Sequence, residues 1–240
     1  LTLPRINRPK KLSEDESTIF KGLLFGPPET GKTRSFLGLL QHGFKLFVIS
    51  TDMGGEGLST VKIALNRLGR KDLLENLTVV VLNDYDTVKT FIDDPTTIYP
   101  TIYDEDFDFL CWDGFSTFQG INVSEKVGDD IKPQVKGDKE LSEGREAGVV
   151  FEIMDWGAVK NMTLRNLDNF LKINNPKTGK IFHKLLTCLE GKNAVRSGDG
   201  FNGTTNYIDN GKPLIQGAAI NFLTPAFDLV INTRKVGEEY

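Results

Sequence analysis

An octapeptide near the start of the chain has the residue types and the spacing of a phosphate-binding loop. Gly26, Gly31, Lys32 and Thr33 occupy every fixed position of the pattern G-x-x-x-x-G-K-[ST]. Backbone N–H groups of such a loop surround the phosphates, and the helix that follows adds partial positive charge. The lysine reaches the β- and γ-phosphates, and the threonine hydroxyl can ligate Mg²⁺. We therefore expect ATP and Mg²⁺ as cofactors, with the nucleotide bound by Gly26, Pro27, Pro28, Glu29, Thr30, Gly31, Lys32, Thr33 and Arg34.

A carboxylate at the end of an apolar run is the second feature that suggests chemistry. Asp113 follows the run 109–112, and an acid at the tip of a buried strand downstream of a phosphate loop is the Walker B arrangement. Its carboxylate would hold Mg²⁺ through a water molecule and help to fix Thr33. We therefore expect Thr33 and Asp113 to form the metal site. The alternative is an ordinary aspartate that starts a turn before Gly114.

Three further acids are candidates for roles in the reaction. Asp52 follows the second apolar strand, and parallel strands direct their carboxyl ends at the ligand. We expect Asp52 to orient a water molecule for attack on the γ-phosphate, with Glu56 as the competing candidate. Glu190 ends the fifth predicted strand, where it could sense the γ-phosphate and signal to the loop that follows. Lys32, Asp52 and Glu190 are thus the predicted catalytic residues, the alternative for each acid being a solvated surface position.

The elements that must position these residues alternate between strand and helix. Strands are predicted at 18–25, 44–51, 77–82, 107–112 and 181–189, and helices at 32–41, 58–68, 86–92 and 154–173. Continuous apolar strands that alternate with helices predict an α/β fold, a mainly parallel β-sheet flanked by helices. The stretches 120–148 and 191–213 show no clear periodicity, apart from a β-like pattern at 204–208. We expect both to be long irregular loops, which in a compact domain are either functional or disordered.

Composition restricts the class of protein. The chain has 240 residues, enough for one α/β domain with a substantial core, and its net charge of −4 excludes a globally basic nucleic-acid binder. Cys111 and Cys188 lie in apolar runs and are expected to be buried free thiols in a reducing compartment. The sequence contains neither an apolar run long enough to span a membrane nor a secretory signal. We therefore expect a cytoplasmic protein without a membrane partner.

Local basic and aromatic residues are the remaining candidates for contacts with partners. Lys192, Arg196 and Tyr207 fall in the second irregular stretch, where they could contact DNA phosphates and stack on bases. The first irregular stretch is rich in acids and suits DNA less well. Arg234 is one of several later basic residues that could act across a subunit interface on a transferring phosphate. Core packing is the better interpretation of Trp112 and Trp156.

The order of these pieces resembles that of RecA-like ATPases, and most closely the phage-encoded nucleotide-binding group that includes the Sak-type single-strand annealing ATPases. The resemblance covers about residues 18–235 and rests on the phosphate loop together with the segments 50–55, 110–116, 155–157, 186–190, 213–217 and 227–228. Three features depart from the family. Leu189 stands where the family often has a histidine, which weakens a sensor role for Glu190, and 120–148 has no clear counterpart. The sequence also stops soon after Arg234, where the family usually continues with further β-structure.

The resemblance implies a function as well as a fold. It implies a RecA-like P-loop NTPase core at 18–240 that is truncated at its C-terminus. The basic, proline-bearing composition of 1–17 separately predicts an extended arm. The resemblance further implies an Mg-ATP-dependent ATPase that acts on single-stranded DNA in phage recombination or annealing. The resemblance also implies that the chains assemble into a homo-oligomeric ring or filament. It implies a single-strand-binding protein as a partner and a location in the cytoplasm of a phage-infected bacterium. The alternatives are a P-loop kinase for a small molecule and a non-hydrolysing nucleotide-binding structural or regulatory module.

Overall fold

A computed structural model describes the backbone of residues 19–52, 56–130, 153–197, 204–215 and 219–234. Side chains are described in these ranges except at 56–57, 124–130, 153–156, 192–197 and 204–210. The strands of the described chain are β1 (Lys21–Gly26), β2 (Leu46–Ser50), β3 (Leu77–Val81), β4 (Phe109–Asp113), β5 (His183–Ser197), β6 (Thr204–Pro213) and β7 (Leu229–Asn232). Its α-helices are α1 (Ser35–Gln41), α2 (Glu56–Arg67), α3 (Tyr85–Asp93), α4 (Pro95–Ile98), α5 (Phe115–Asp130), α6 (Ile153–Lys172) and α7 (Ile220–Leu223).

A parallel sheet forms the centre of the fold, with strand order β3-β2-β4-β5-β1-β7. Every neighbouring pair along this order is parallel. β6 lies off this path and pairs antiparallel with the distal part of β5. The carboxyl ends of the parallel strands therefore meet at one edge of the sheet, and β5 lies between β1 and β4 at that edge. The predicted α/β class with a mainly parallel sheet is confirmed.

Helices cover both faces of this sheet, because its central strands are apolar on both sides. Phe47 and Ile49 of β2 belong to a buried cluster that includes residues of α3, α5 and α6. The alternate residues Leu46 and Val48 belong to a second buried cluster that includes α1 and α2. Trp112 is fully buried in the first cluster, with its ring centroid 4.8 Å from that of Phe118. Trp112 is thus a core residue, as expected, and its ring is inaccessible to a nucleic-acid base.

The two stretches predicted to be irregular contain regular structure, so that prediction was wrong for their described parts. α5 continues to Asp130, while residues 131–148 lie outside the described part of the chain. β5 continues to Ser197 and forms a hairpin with β6. A bulge between Glu190 and Lys192 lets the strand continue through Gly191. The β-like pattern at 204–208 lies in β6 and predicted that part of the hairpin, whereas residues 191–197 carry no apolar alternation and were missed.

The composition led to expectations about the two cysteines and about membrane-spanning segments. Cys111 and Cys188 are both free and buried, as predicted, and burial raises the pKa of each thiol. Of the helices in the described ranges, none combines the length and the apolar character needed to cross a bilayer. The predicted basic arm at 1–17 and the side chain of Trp156 lie outside the described residues.

Candidate functional site

The phosphate-binding pattern forms the connection between β1 and α1. β1 ends at Gly26, where the pattern begins, and α1 begins at Ser35, later than the predicted start at residue 32. Residues 32–34 form hydrogen-bonded turns instead. Gly31 has a φ of 88°, a left-handed conformation that glycine adopts without a steric penalty. The chain therefore turns at this glycine and leads directly into the lysine and threonine of the pattern.

The nine residues predicted to bind nucleotide differ in their exposure. Gly26 is buried, and Pro27, Thr30, Lys32 and Thr33 are half-buried. The exposed members are Pro28, Glu29, Gly31 and Arg34. The tip of the loop is thus open to solvent, whereas its chemically distinctive lysine and threonine lie partly inside the protein.

The ammonium group of Lys32 lies against the carbonyls of its own loop. Its Nζ donates to Gly26 O at 3.0 Å and to Pro27 O at 2.6 Å. Burial lowers the pKa of Lys32, and the charges of nearby acids, Asp113 first among them, oppose this change. The site therefore combines one partly desolvated cation with several carboxylates.

Asp113 lies at the carboxyl end of β4 and is buried. Thr33 Oγ1 donates to it and lies 3.1 Å from each carboxylate oxygen, although the two residues are 80 positions apart. Thr187 Oγ1 on β5 donates to Oδ1 at 2.5 Å. Burial raises the pKa of Asp113 to about 6, and the charge of Asp52 adds to the rise, whereas the two hydroxyl bonds oppose it. The structure thus brings both predicted metal-site residues into direct contact.

Asp52 lies two residues beyond the end of β2, next to the turn that follows β4. Its Oδ1 accepts a hydrogen bond from Thr117 Oγ1 at 2.8 Å. Gly114 has a φ of 88°, and a Cβ atom at this position would lie 2.3 Å from Asp52 Oδ1. Asp52 is therefore fixed by α5 on one side and by a glycine turn on the other. The side chain of its competitor Glu56 lies outside the described residues.

Glu190 lies within β5 and not at its end, so the predicted strand end was wrong. The side chain is fully buried, and its Oε1 accepts bonds from Arg234 Nη2 and from Gly211 N–H, each at 2.6 Å. Its Oε2 is buried without a hydrogen-bond partner among the described residues. Glu190 thus joins the residues after β7 to the β5–β6 hairpin. The alternative interpretation, a solvated surface position, is excluded because the side chain is fully buried.

Thr233 is a contact of the phosphate loop that the sequence reasoning missed. Its hydroxyl lies 2.7 Å from that of Thr30, and its backbone N–H donates to Phe25 O at 2.7 Å. A Cβ atom at Gly26 would lie 2.3 Å from Thr233 Oγ1, so only glycine fits at the first position of the pattern. No sequence signal marks this contact, because the two threonines are 203 positions apart. Thr187 did leave a signal, as a hydroxyl inside the apolar strand segment 185–189.

The residues predicted to bind DNA belong to the β5–β6 hairpin. Lys192 pairs with Asp209, Arg196 with Thr205, and Tyr207 with Ala194 in its register. The side chains of Lys192, Arg196 and Tyr207 lie outside the described residues. Their backbone positions place all three on one hairpin that extends from the strand carrying Thr187 and Glu190.

The site has the groups that phosphate and a hard cation require. The loop supplies an ammonium group, and a hydroxyl–carboxylate pair lies beside it. Within the described ranges, no group of three or more His, Cys, Asp or Glu side chains could form a metal site. Mg²⁺ in phosphate sites needs only one or two protein ligands, because waters and phosphate oxygens complete its octahedron. Thr33 and Asp113 therefore suit Mg²⁺ bound together with a phosphate.

A scan of the chain against protein-family models finds no match, and a search of curated proteins finds no match.

Proposed function

We propose that the chain is an Mg²⁺-dependent ATPase with a RecA-like core that acts on single-stranded DNA. The observation that carries the nucleotide part is the contact between Thr33 of the phosphate loop and the buried Asp113. A chance glycine-rich turn has no reason to place its threonine hydroxyl on a carboxylate from another strand. Such a pair would suit a bound Mg²⁺, with Thr33 as its ligand and Asp113 as the support of Thr33.

The strand order supports the RecA-like core. β5 lies between the strand of the phosphate loop and the strand that ends in Asp113. The same β5 carries Glu190, the residue matched to the sensor position of the resembling family. The loop follows β1, Asp52 follows β2 and Asp113 ends β4, and these strands lie in one parallel sheet, as a RecA-like core would require.

In this proposal each residue of the site has a separate task. Lys32 exchanges its loop carbonyls for β- and γ-phosphate oxygens, and Thr33 and Asp113 hold Mg²⁺, which neutralises charge on the phosphates. Asp52 accepts a proton from the attacking water, and its bond from Thr117 directs the carboxylate. Glu190 has one clamped oxygen and one without a partner among the described residues, which suits a group that responds to the ligand.

The DNA part of the proposal has its support in the resemblance and in the hairpin. Lys192, Arg196 and Tyr207 share this hairpin. Its base is tied through Glu190 to Arg234, and the preceding residue, Thr233, contacts the phosphate loop. The net charge of −4 requires such local binding. A ring or filament of identical chains in the cytoplasm of a phage-infected bacterium, with a single-strand-binding protein as a further partner, completes the proposal.

Steady-state ATP turnover with and without single-stranded DNA tests the function. We expect Mg²⁺-dependent hydrolysis that DNA stimulates. Turnover that requires a nucleoside or a metabolite would instead identify a kinase, and nucleotide binding without turnover would identify a regulatory module. Fluorescence anisotropy of a labelled oligonucleotide tests the DNA part, with affinity expected to fall steeply as salt rises. No binding at low salt with any nucleotide would remove single-stranded DNA from the proposal.

A further inference from the structure

We propose that Thr187 is a positioning residue that fixes both acids of the candidate site, Asp113 directly and Asp52 through the backbone at Gly114. The inference rests on the proposed function, since it concerns how the same site is held ready for Mg²⁺ and nucleotide. It adds a residue outside the phosphate-binding pattern and outside the predicted catalytic set.

The hydrogen-bond partners of Thr187 determine that its hydroxyl donates its proton to Asp113. Its Oγ1 accepts from the Gly114 N–H at 3.0 Å and lies 2.5 Å from Asp113 Oδ1. A hydroxyl has a single proton, so the Thr187 proton goes to the carboxylate. The residue is 2% exposed, so bulk water does not compete for either bond. This hydroxyl therefore sets the plane and the rotation of the Asp113 carboxylate.

Thr33 contacts the same carboxylate but does not hold it by one oxygen as Thr187 does. Its hydroxyl lies at the same distance, 3.1 Å, from both oxygens of Asp113, so it does not favour one oxygen over the other. A hydroxyl that ligates Mg²⁺ would give a lone pair to the ion and keep its proton for a carboxylate such as Asp113. Thr187 is thus the side chain whose bond, at 2.5 Å, is directed to Oδ1 alone.

The second bond of Thr187 extends its effect to Asp52. The Gly114 N–H that it accepts belongs to the turn against which Asp52 packs, where a Cβ atom would lie 2.3 Å from Asp52 Oδ1. A shift of this turn would move the surface on which Asp52 lies. One buried hydroxyl thus ties the metal-site acid and the water-orienting acid to a single point on β5.

A set of three variants tests this inference. Thr187→Val removes the hydroxyl at nearly constant volume, Thr187→Ser keeps the hydroxyl, and Thr163→Val is the matched control. Thr163 is a buried threonine on α6 whose hydroxyl accepts from Asn122 Nδ2 at 3.0 Å, apart from the candidate site. Circular dichroism confirms folding, and Thr187→Ala replaces the valine variant if that variant is unfolded.

The readout is the Mg²⁺ dependence of binding of a fluorescent ATP analogue, together with kcat and binding in EDTA. For Thr187→Val we expect the half-saturating Mg²⁺ concentration to rise about tenfold and kcat to fall about tenfold, the usual effect of losing a group that orients a metal ligand. Binding in EDTA changes less than about twofold, and Thr163→Val behaves like wild type, because independent sites do not couple. Thr187→Ser stays within about threefold of wild type in every measurement.

Two results would overturn this inference and leave the proposed function standing. One is a Thr187→Val protein whose Mg²⁺ response equals that of wild type. The other is a Thr187→Ser protein as impaired as Thr187→Val, which would assign the effect to the lost methyl group. Failure of the proposed function looks different, because wild-type protein would then bind no nucleotide at any Mg²⁺ concentration, and the inference would fall with it.

Discussion

Lys32 is the residue on which the nucleotide assignment can be tested most directly. Its Nζ is held by two carbonyls of its own loop, and these bonds must be exchanged for phosphate oxygens when a nucleotide binds. We predict that Lys32→Ala lowers ATP turnover at least about a hundredfold, the usual effect of losing one group that stabilises transferring charge. Turnover by the folded variant is the measurement, and Lys62→Ala on the exposed side of α2 is the control. Near-normal turnover in Lys32→Ala would remove the assignment.

Asp52 and Asp113 are both acids of the site, and their substitutions separate two roles. We predict that Asp52→Asn keeps nucleotide binding and lowers turnover about a hundredfold, because it removes a general base. Asp113→Asn should instead weaken Mg²⁺-dependent binding, since it removes the support of Thr33. Binding of a fluorescent ATP analogue and turnover are measured side by side, with the exposed Asp86→Asn as control. A fully active Asp52→Asn beside an inactive Glu56→Gln would transfer the water-orienting role to Glu56.

The difference between what could and could not be predicted at residue scale has a physical cause. Lys32, Thr33 and Asp113 were found because local spacing or a strand-end position identifies them. Thr117 bonds Asp52, Thr187 bonds Asp113 and Thr233 bonds Thr30 of the phosphate loop, through contacts that only the folded chain creates. A single threonine in a sequence carries no mark of its partner, which for Thr233 lies 203 positions away.

At the scale of elements, the ion pair of Glu190 with Arg234 joins the end of β7 to the β5–β6 hairpin. The Glu190 side chain is fully buried, while that of Arg234 is 46% exposed. We predict that Arg234→Ala lowers the free energy of unfolding by about 2 kcal/mol, because a buried carboxylate loses a charged hydrogen bond. The control is Arg70→Ala, whose pair with Asp72 is exposed on both sides and is therefore screened by solvent, so we expect a smaller loss. Urea denaturation compares the two, and equal losses would contradict the prediction.

The sequence predicted the existence of most strands, because they are apolar, but it predicted the ends of the elements less well. The ends of β2, β3 and β4 differ from the predicted ends by at most about two residues, which is the usual uncertainty of element boundaries. α1 starts late because residues 32–34 form turns in the loop. β5 extends far beyond 189 because its partner is β6 and not the parallel sheet. β6 follows closely in the chain, with Ser197 paired to Thr204, but residues 191–197 lack the apolar alternation that marks a strand.

At the scale of the whole molecule, a buried cation in the sheet connects stability to pH. Lys184 on β5 is fully buried, and its Nζ donates to Ile173 O, just beyond the end of α6, at 2.6 Å. The ammonium also lies 5.1 Å from the ring centroid of Phe182. Burial lowers the pKa of Lys184 to about 7, with Lys21 acting in the same direction and Cys111 opposing. The protein therefore binds this proton more weakly when folded than when unfolded.

Between pH 7 and 8.5 the protonation of Lys184 differs between the folded and the unfolded chain. The unfolded chain keeps the Lys184 proton there, since an ordinary lysine loses it near pH 10.5, whereas the folded protein releases it above pH 7. Stability must then rise with pH, by at most about 1.4 kcal/mol per pH unit. Asp113 titrates lower, near pH 6, and the cysteines of the unfolded chain oppose the trend only near pH 9. We predict that the unfolding free energy from urea denaturation increases by about 1–2 kcal/mol across this range. Lys184→Met should abolish the increase and Lys172→Met, at a side chain 70% exposed, should retain it. A wild-type stability that stays flat or falls between pH 7 and 8.5 would show that the buried ammonium keeps its proton and is stabilised by its carbonyl and ring contacts.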